Sequence, residues 1–196
     1  MFKSIFDIVC SLLGILVLSP VFVVLWVAIK LESKGSAFFL QTRVGKNNID
    51  FKLYKFRSMY LDAESRGQLT VGMRDPRITK VGYYLRKFKL DELPQLINVI
   101  KGDMSLVGPR PEVRKYVQLY SPQQLKVLTI RPGITDYASI QFINENELLA
   151  NAENPEEYYI NNIMPEKLEL NLQYINNSYP LKDLGLILKT LIKIIS

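Results

Sequence analysis

A chain of 196 residues, 48% hydrophobic and 22% charged, has room for one domain with a real core and one membrane element, which excludes both a disordered chain and a polytopic membrane protein. Its net charge of +6 is unevenly placed: residues 30–131 carry 20 Lys and Arg against 9 Asp and Glu, whereas residues 132–196 carry 4 against 9. Histidine is absent and cysteine occurs once, at Cys10, so histidine bases, histidine metal sites and an intramolecular disulfide are excluded and a reducing cytoplasmic setting is expected.

Residues 8–29 form an uncharged run of 22 residues between Asp7 and Lys30, long enough to cross a hydrocarbon core. No small-residue cleavage site ends it and Lys3 is offset by Asp7, so the segment is expected to stay attached. Ser19 and Pro20 sit at its midpoint, where proline removes a backbone donor and predicts a kink or break. Two topologies follow: a kinked spanning helix, or a helix–break–helix hairpin that enters and leaves by one face.

Short strands are predicted next, over 37–40 and 51–56, joined through a polar turn at 45–48 as a β-hairpin. Alternation along the second strand puts Lys55 and Arg57 on one side, as converging cations or an exposed strand end. Residues 58–77 are polar and mixed, with a short helix over 63–66 and a loop rich in Gly, Arg and Asp that is a candidate substrate lid. Helical spacing predicts a helix over 78–88 and another over 91–100, with Asp91 as its N-cap and Pro94 in its first turn. A rigid Gly108-Pro109-Arg110-Pro111 loop leads into a helix over 113–120, and Arg131-Pro132-Gly133 is a turn. At the end, residues 182–195 read as an amphipathic helix with Leu184, Leu188, Leu191, Ile192 and Ile195 on one side, either lying at a membrane interface or packed on the core.

Adjacent Asp91 and Glu92 at a helix start are the sharpest chemical feature, because unpaired N–H groups and positive potential there favour ionised carboxylates. Such a pair suits a nucleophile or a Mg²⁺ site; it also suits a simple cap and a first-turn charge. Lys55, Arg57, Arg86, Arg110 and Arg131 all lie beside turns or element ends, and arginine suits bidentate phosphate binding. The basic middle accordingly asks for an anionic partner such as phosphates, lipid head groups or nucleic acid, although a solvated basic surface gives the same count.

The segments Lys55-Phe56-Arg57-Ser58-Met59, Leu90-Asp91-Glu92-Leu93-Pro94-Gln95, Lys101-Gly102-Asp103-Met104-Ser105 with Gly108-Pro109-Arg110-Pro111, and Arg131-Pro132-Gly133-Ile134-Thr135 resemble, in order, the bacterial sugar transferase family of small monotopic phosphoglycosyl transferases. The resemblance implies a mainly helical α+β fold: a re-entrant membrane hairpin broken at Ser19 and Pro20 over residues 1–34, and a cytoplasmic catalytic domain over 35–196 carrying the β-hairpin and an interfacial C-terminal helix. It implies a UDP-sugar donor, undecaprenyl phosphate as acceptor, Mg²⁺ as cofactor, and the cytoplasmic face of the bacterial inner membrane as location. Asp91 would take the phosphosugar covalently and UMP would leave. Glu92 would ligate metal or handle a proton, and the five cations would hold phosphates. No nucleic acid is expected, few aromatics being interleaved with the basic residues, and oligomeric state is open, a homodimer included. Asp136 and the stretch from Ser139 to Gln141 depart from the family's commoner pattern. Two other classes compete: a glycosyltransferase that releases UDP, and a non-catalytic module binding anionic lipid.

Overall fold

The apolar run folds as one helix, α1 (Phe2–Glu32), in a computed structural model that describes residues 2–61, 63, 72, 75–176 and 180–195. The helix is not interrupted at Ser19 and Pro20, contrary to the expected break. Proline at 20 cannot donate to the carbonyl of Leu16, four residues back, and the Ser19 hydroxyl donates to that carbonyl instead at 2.8 Å. The side chain next to the proline thus repairs the backbone bond that the proline removes, and the helix continues.

One stripe of α1 docks on the rest of the protein along its whole length. In its first turns Lys3 pairs with Asp183, Ser4 accepts from Arg131 at 2.9 Å, and Asp7 accepts from Ser105 at 2.6 Å. At its far end Ile29 packs with Ala37, Phe56 and Leu85, while the Glu32 carboxylate accepts the backbone N–H groups of Lys80 and Val81 at 2.7 and 3.0 Å. Leucines and valines on the other faces, among them Leu12, Leu16, Val17, Val24 and Leu31, stay exposed, which suits hydrocarbon and not water.

The predicted β-hairpin is present and longer than expected: β1 (Phe38–Val44) pairs antiparallel with β2 (Asp50–Phe56), from Phe38 opposite Phe56 to Val44 opposite Asp50. Helix α2 (Lys80–Lys87) opens on Thr79, whose hydroxyl accepts from Gly82 N–H at 2.9 Å. The predicted helix over 91–100 begins only at α3 (Gln95–Lys101). Pro94 has no N–H to pass the helical ladder back through, so Leu90–Glu92 closes as a separate 3₁₀ turn entered through Lys89 at φ +53°. Asp91 is therefore not an N-cap; Pro94 holds that position.

Two further strands, β3 (Ser105–Val107) and β4 (Gly133–Thr135), run parallel with Ser105 opposite Gly133 and Val107 opposite Thr135. Their loops cross so closely that a Cβ on Gly133 would lie 2.1 Å from the Gly108 nitrogen, so glycine is required there. The helix expected over 113–120 shrinks to α4 (Arg114–Val117). Short helices α5 (Tyr137–Gln141), α6 (Glu145–Ala150) and α7 (Pro155–Tyr158) precede α8 (Met164–Asn176), and together they bury Tyr116, Leu149, Tyr159, Ile163 and Leu168. In α9 (Pro180–Ile195) Leu186 faces the core, while Leu184, Leu188, Leu191 and Ile192 are 46–67% exposed, so the apolar side read from the sequence points outward. The fold is mainly helical α+β. The short helix over 63–66 and the lid loop fall largely outside the described residues.

Candidate active site

Asp91 and Glu92 share one turn but take opposite environments. Glu92 is clamped: Lys55 Nζ donates to Oε1 at 3.1 Å, Arg110 Nη1 donates to Oε2 at 3.1 Å, and Arg110 Nη2 pairs with Oε1. Asp91 is 4% exposed and has no hydrogen bond or ion pair among the described residues. Both line a cavity of about 830 Å³ together with Lys55, Arg86, Lys89 and Arg110.

Burial raises the Asp91 carboxyl above the ordinary aspartate range, Lys55 eases the shift and Glu92 adds to it. The expected setting, a helix start whose positive potential favours the ionised form, is absent: Asp91 lies in a 3₁₀ turn ahead of α3, and removal from water dominates. Burial acts on Glu92 too, but the guanidinium of Arg110 and the ammonium of Lys55 overturn it and hold the carboxyl well below the glutamate range. Lys55 is lowered by its own burial despite Glu92, whereas Glu92 holds the charge on Arg110. The turn thus carries one permanently ionised carboxylate, already partnered, and one unpartnered carboxylate of raised basicity.

The five cations separate on the structure. Lys55 and Arg110 reach Glu92. Arg86 is near enough to Asp91 to favour its charge and makes no hydrogen bond among the described residues; its Nε is buried without a partner. Arg57 takes a different course from Lys55: its Nη1 and Nη2 donate to the carbonyls of Lys34 and Ser33 at 2.6 and 2.8 Å, closing the chain as it leaves α1. Arg131 donates to Ser4 and is not among the cavity-lining residues. Lys55, Arg86 and Arg110 are therefore brought to the carboxylate pair, Arg57 lines the cavity while its Nη1 and Nη2 are spent on Ser33 and Lys34, and Arg131 secures α1.

Two residues position the site in ways the sequence did not reveal: Asn98 was not singled out there, and Asp136 was noted only as a departure from the family pattern. Asn98, fully buried on α3, accepts from Tyr54 N–H at 2.9 Å and donates to the Lys52 carbonyl at 2.7 Å, fixing β2 and hence Lys55 against the turn. Its position inside the apolar stripe of the predicted helix was the available signal. Asp136, also fully buried, accepts from Arg110 N–H at 3.0 Å and Ser139 N–H at 2.6 Å, so it holds the backbone of Arg110 and caps α5 at once.

As for metal, no cluster of three or more Asp, Glu, Cys or His occurs among the described residues. The unpartnered Asp91 carboxylate facing the cavity fits Mg²⁺, which takes one or two protein carboxylates and fills its remaining positions with water and substrate phosphate oxygens; Glu92 beside it has both oxygens engaged by Lys55 and Arg110.

The family model for bacterial sugar transferases matches residues 1–196. The chain is 46% identical over 137 residues to a UDP-N-acetylgalactosamine-undecaprenyl-phosphate N-acetylgalactosaminephosphotransferase of Aeromonas hydrophila, a match covering 68% of this chain and 32% of that protein. It is 36% identical over 192 residues to the UDP-glucose:undecaprenyl-phosphate glucose-1-phosphate transferase of Escherichia coli, covering 95% and 39%. With the exopolysaccharide production protein ExoY of Rhizobium meliloti it shares 33% identity over 206 residues, covering 97% and 84%. The chain thus spans about a third of the first two relatives and most of the third.

Proposed function

The chain belongs to the bacterial sugar transferase family, and on that premise we propose that it transfers a sugar phosphate from a UDP-sugar to undecaprenyl phosphate, by way of a covalent intermediate on Asp91, at the cytoplasmic face of the bacterial inner membrane. The observation that carries the reading is Asp91 itself: a cavity-lining carboxylate, 4% exposed, with no hydrogen bond among the described residues to blunt it and Lys55 and Arg86 close enough to favour its charge. A carboxylate of raised basicity is a better nucleophile than an ordinary one.

In the first step an Asp91 carboxylate oxygen bonds to the β-phosphorus of the donor. The bond from that phosphorus to the oxygen bridging the two phosphates breaks, and UMP leaves with the electron pair. In the second step a phosphate oxygen of the polyprenyl phosphate bonds to the same phosphorus and frees the Asp91 carboxylate, giving a polyprenyl diphosphate sugar. Arg86, with its donors uncommitted, binds diphosphate oxygens. Arg110 and Lys55, held by Glu92, present fixed positive charge where negative charge develops, a preorganised arrangement that needs no rearrangement in the transition state. Mg²⁺ held by Asp91 would neutralise charge on the donor diphosphate.

The topology that serves this reaction has both ends of α1 at one membrane face. A straight helix of 31 residues would be about 46 Å long, more than the roughly 30 Å hydrocarbon core. A helix whose first and last turns both bond to one polar domain does not place its ends on opposite sides of a bilayer. With both ends of α1 at one face, Asp91 works near the lipid surface, where the acceptor phosphate lies.

The test is nucleotide release: full-length protein in detergent or nanodiscs, with UDP-sugars, Mg²⁺ and undecaprenyl phosphate. UMP is expected, lost on chelation with EDTA and restored by Mg²⁺. UDP release, or unchanged turnover in Asp91→Asn, rejects the mechanism.

A further inference from the structure

Asp136 ties a second part of the cavity to the catalytic turn. Its carboxylate accepts the backbone N–H of Arg110 with one oxygen and that of Ser139 with the other, so the Ser139 side chain is held in fixed relation to the arginine that grips Glu92. The Ser139 hydroxyl is buried and has no hydrogen-bond partner. On α8, which packs against α5, lies Asn171, 4% exposed, whose Oδ1 is likewise buried and unpartnered among the described residues. Both residues line the same cavity as Asp91. Buried polar groups are nearly always satisfied, and two unpartnered oxygens on residues that line one cavity mark the place of a polar ligand.

The character of that ligand follows from the neighbours. Lys167 of the same wall is paired with Glu145 at 2.8 Å, so no net charge is offered. Phe142, Leu149 and Leu168 supply apolar surface. A neutral ring bearing hydroxyl or amide groups fits: each hydroxyl can both donate and accept, and its carbon face covers apolar side chains. The phosphates of a nucleotide sugar belong instead with Lys55, Arg86 and Arg110.

Resting on the donor assignment made above, we propose that Ser139 and Asn171 form a subsite for a neutral, hydroxyl-bearing ring of the nucleotide-sugar donor, and that they set which donor is accepted. The pair lies partly in the stretch, Ser139 to Gln141, where this chain departs from the family pattern.

Asn171→Leu and Ser139→Ala test it in the full-length protein. Replacing an unpartnered buried polar atom by an apolar one of similar size is expected to leave the melting temperature unchanged or raise it. The KM for the preferred donor among UDP-glucose, UDP-galactose and UDP-N-acetylgalactosamine should rise about tenfold per variant, the loss of roughly one hydrogen bond, and the ratio of kcat/KM between donors should shift. Inhibition by UMP separates the two rings: unchanged inhibition assigns the subsite to the sugar, and a parallel tenfold weakening assigns it to the nucleoside. Direct donor binding by calorimetry in the Asp91→Asn background reads the subsite without chemistry, so loss of binding in Asn171→Leu stands even if the wild type never releases UMP. Unchanged donor KM, unchanged donor preference and unchanged calorimetric affinity in both variants overturn the proposal.

Discussion

At residue 91 two demands collide, since a carboxylate buried without a hydrogen bond is a liability for folding and an asset for chemistry. Its raised pKa means the folded state holds a proton that the unfolded state has already released, so Asp91 costs stability as pH rises through its folded value and the cost vanishes below the ordinary aspartate range. Glu92 has the opposite sign: its depressed pKa contributes stability that is complete above the ordinary glutamate value and is lost as pH falls below it. Asp91→Asn should therefore raise the melting temperature while lowering kcat by about a thousandfold or more. Glu92→Gln should lower both, at about 2–4 kcal/mol of stability, because it strands Lys55 and Arg110, the latter a third exposed and so partly screened. In kcat/KM against pH the acid limb should sit above that of an ordinary aspartate; a limb at or below pH 4 would contradict the burial argument. Little of this electrostatic contrast was legible in the sequence. The paired carboxylates were visible as neighbours, but Lys55 and Arg110 lie 37 and 18 residues from Glu92, and burial is decided by elements that neither local pattern nor charge counts describe.

Among the elements, α1 shows both the strength and the limit of local rules. Its length and lack of charge were plain; the proline rule, applied to the backbone alone, named a kink or break, and the helix runs on unbroken through Pro20 because the Ser19 hydroxyl supplies the missing donor. A double-mutant cycle follows from that geometry. Ser19→Ala should cost about 1–2 kcal/mol in denaturation experiments, because it leaves the Leu16 carbonyl unpaired, and should cost nearly nothing in a Pro20→Ala background, where the backbone N–H returns. Additive effects would show that the hydroxyl is not the substitute donor. Cysteines at positions 3 and 34 should both be shielded from an impermeant reagent applied outside cells; labelling of one alone would establish a spanning helix. The β-hairpin was readable because the strands and the polar Gly45-Lys46-Asn47-Asn48 turn between them act within 20 residues. The parallel pairing of β3 with β4 was not, since strands of three residues carry no periodicity and their register is set by the contact of Gly108 with Gly133. Asn98 escaped, and the role of Asp136 with it, for the same reason, each joining segments that the sequence keeps apart.

For the molecule as a whole, the uneven charge now has a place: the basic middle supplies the cations at the cavity, while α1 and α9 contribute apolar lining such as Phe6, Leu18, Leu184 and Leu191. The membrane segment is stitched to the catalytic body by Lys3, Ser4 and Asp7 at one end and Ile29 and Glu32 at the other. A tether tolerates changes in length; a strut pinned at both ends does not. Inserting one alanine between Gly14 and Ser19 would rotate one half of the helix against the other by about 100°, so that one set of pins must detach, whereas the same insertion in a loose anchor would pass unnoticed. Replacing α1 with an unrelated hydrophobic helix should for the same reason leave a protein that still reaches the bilayer yet has lost the partners of Asp183, Ser105 and Arg131, and evolutionary drift in this anchor's length should be as restricted as drift in a core strand.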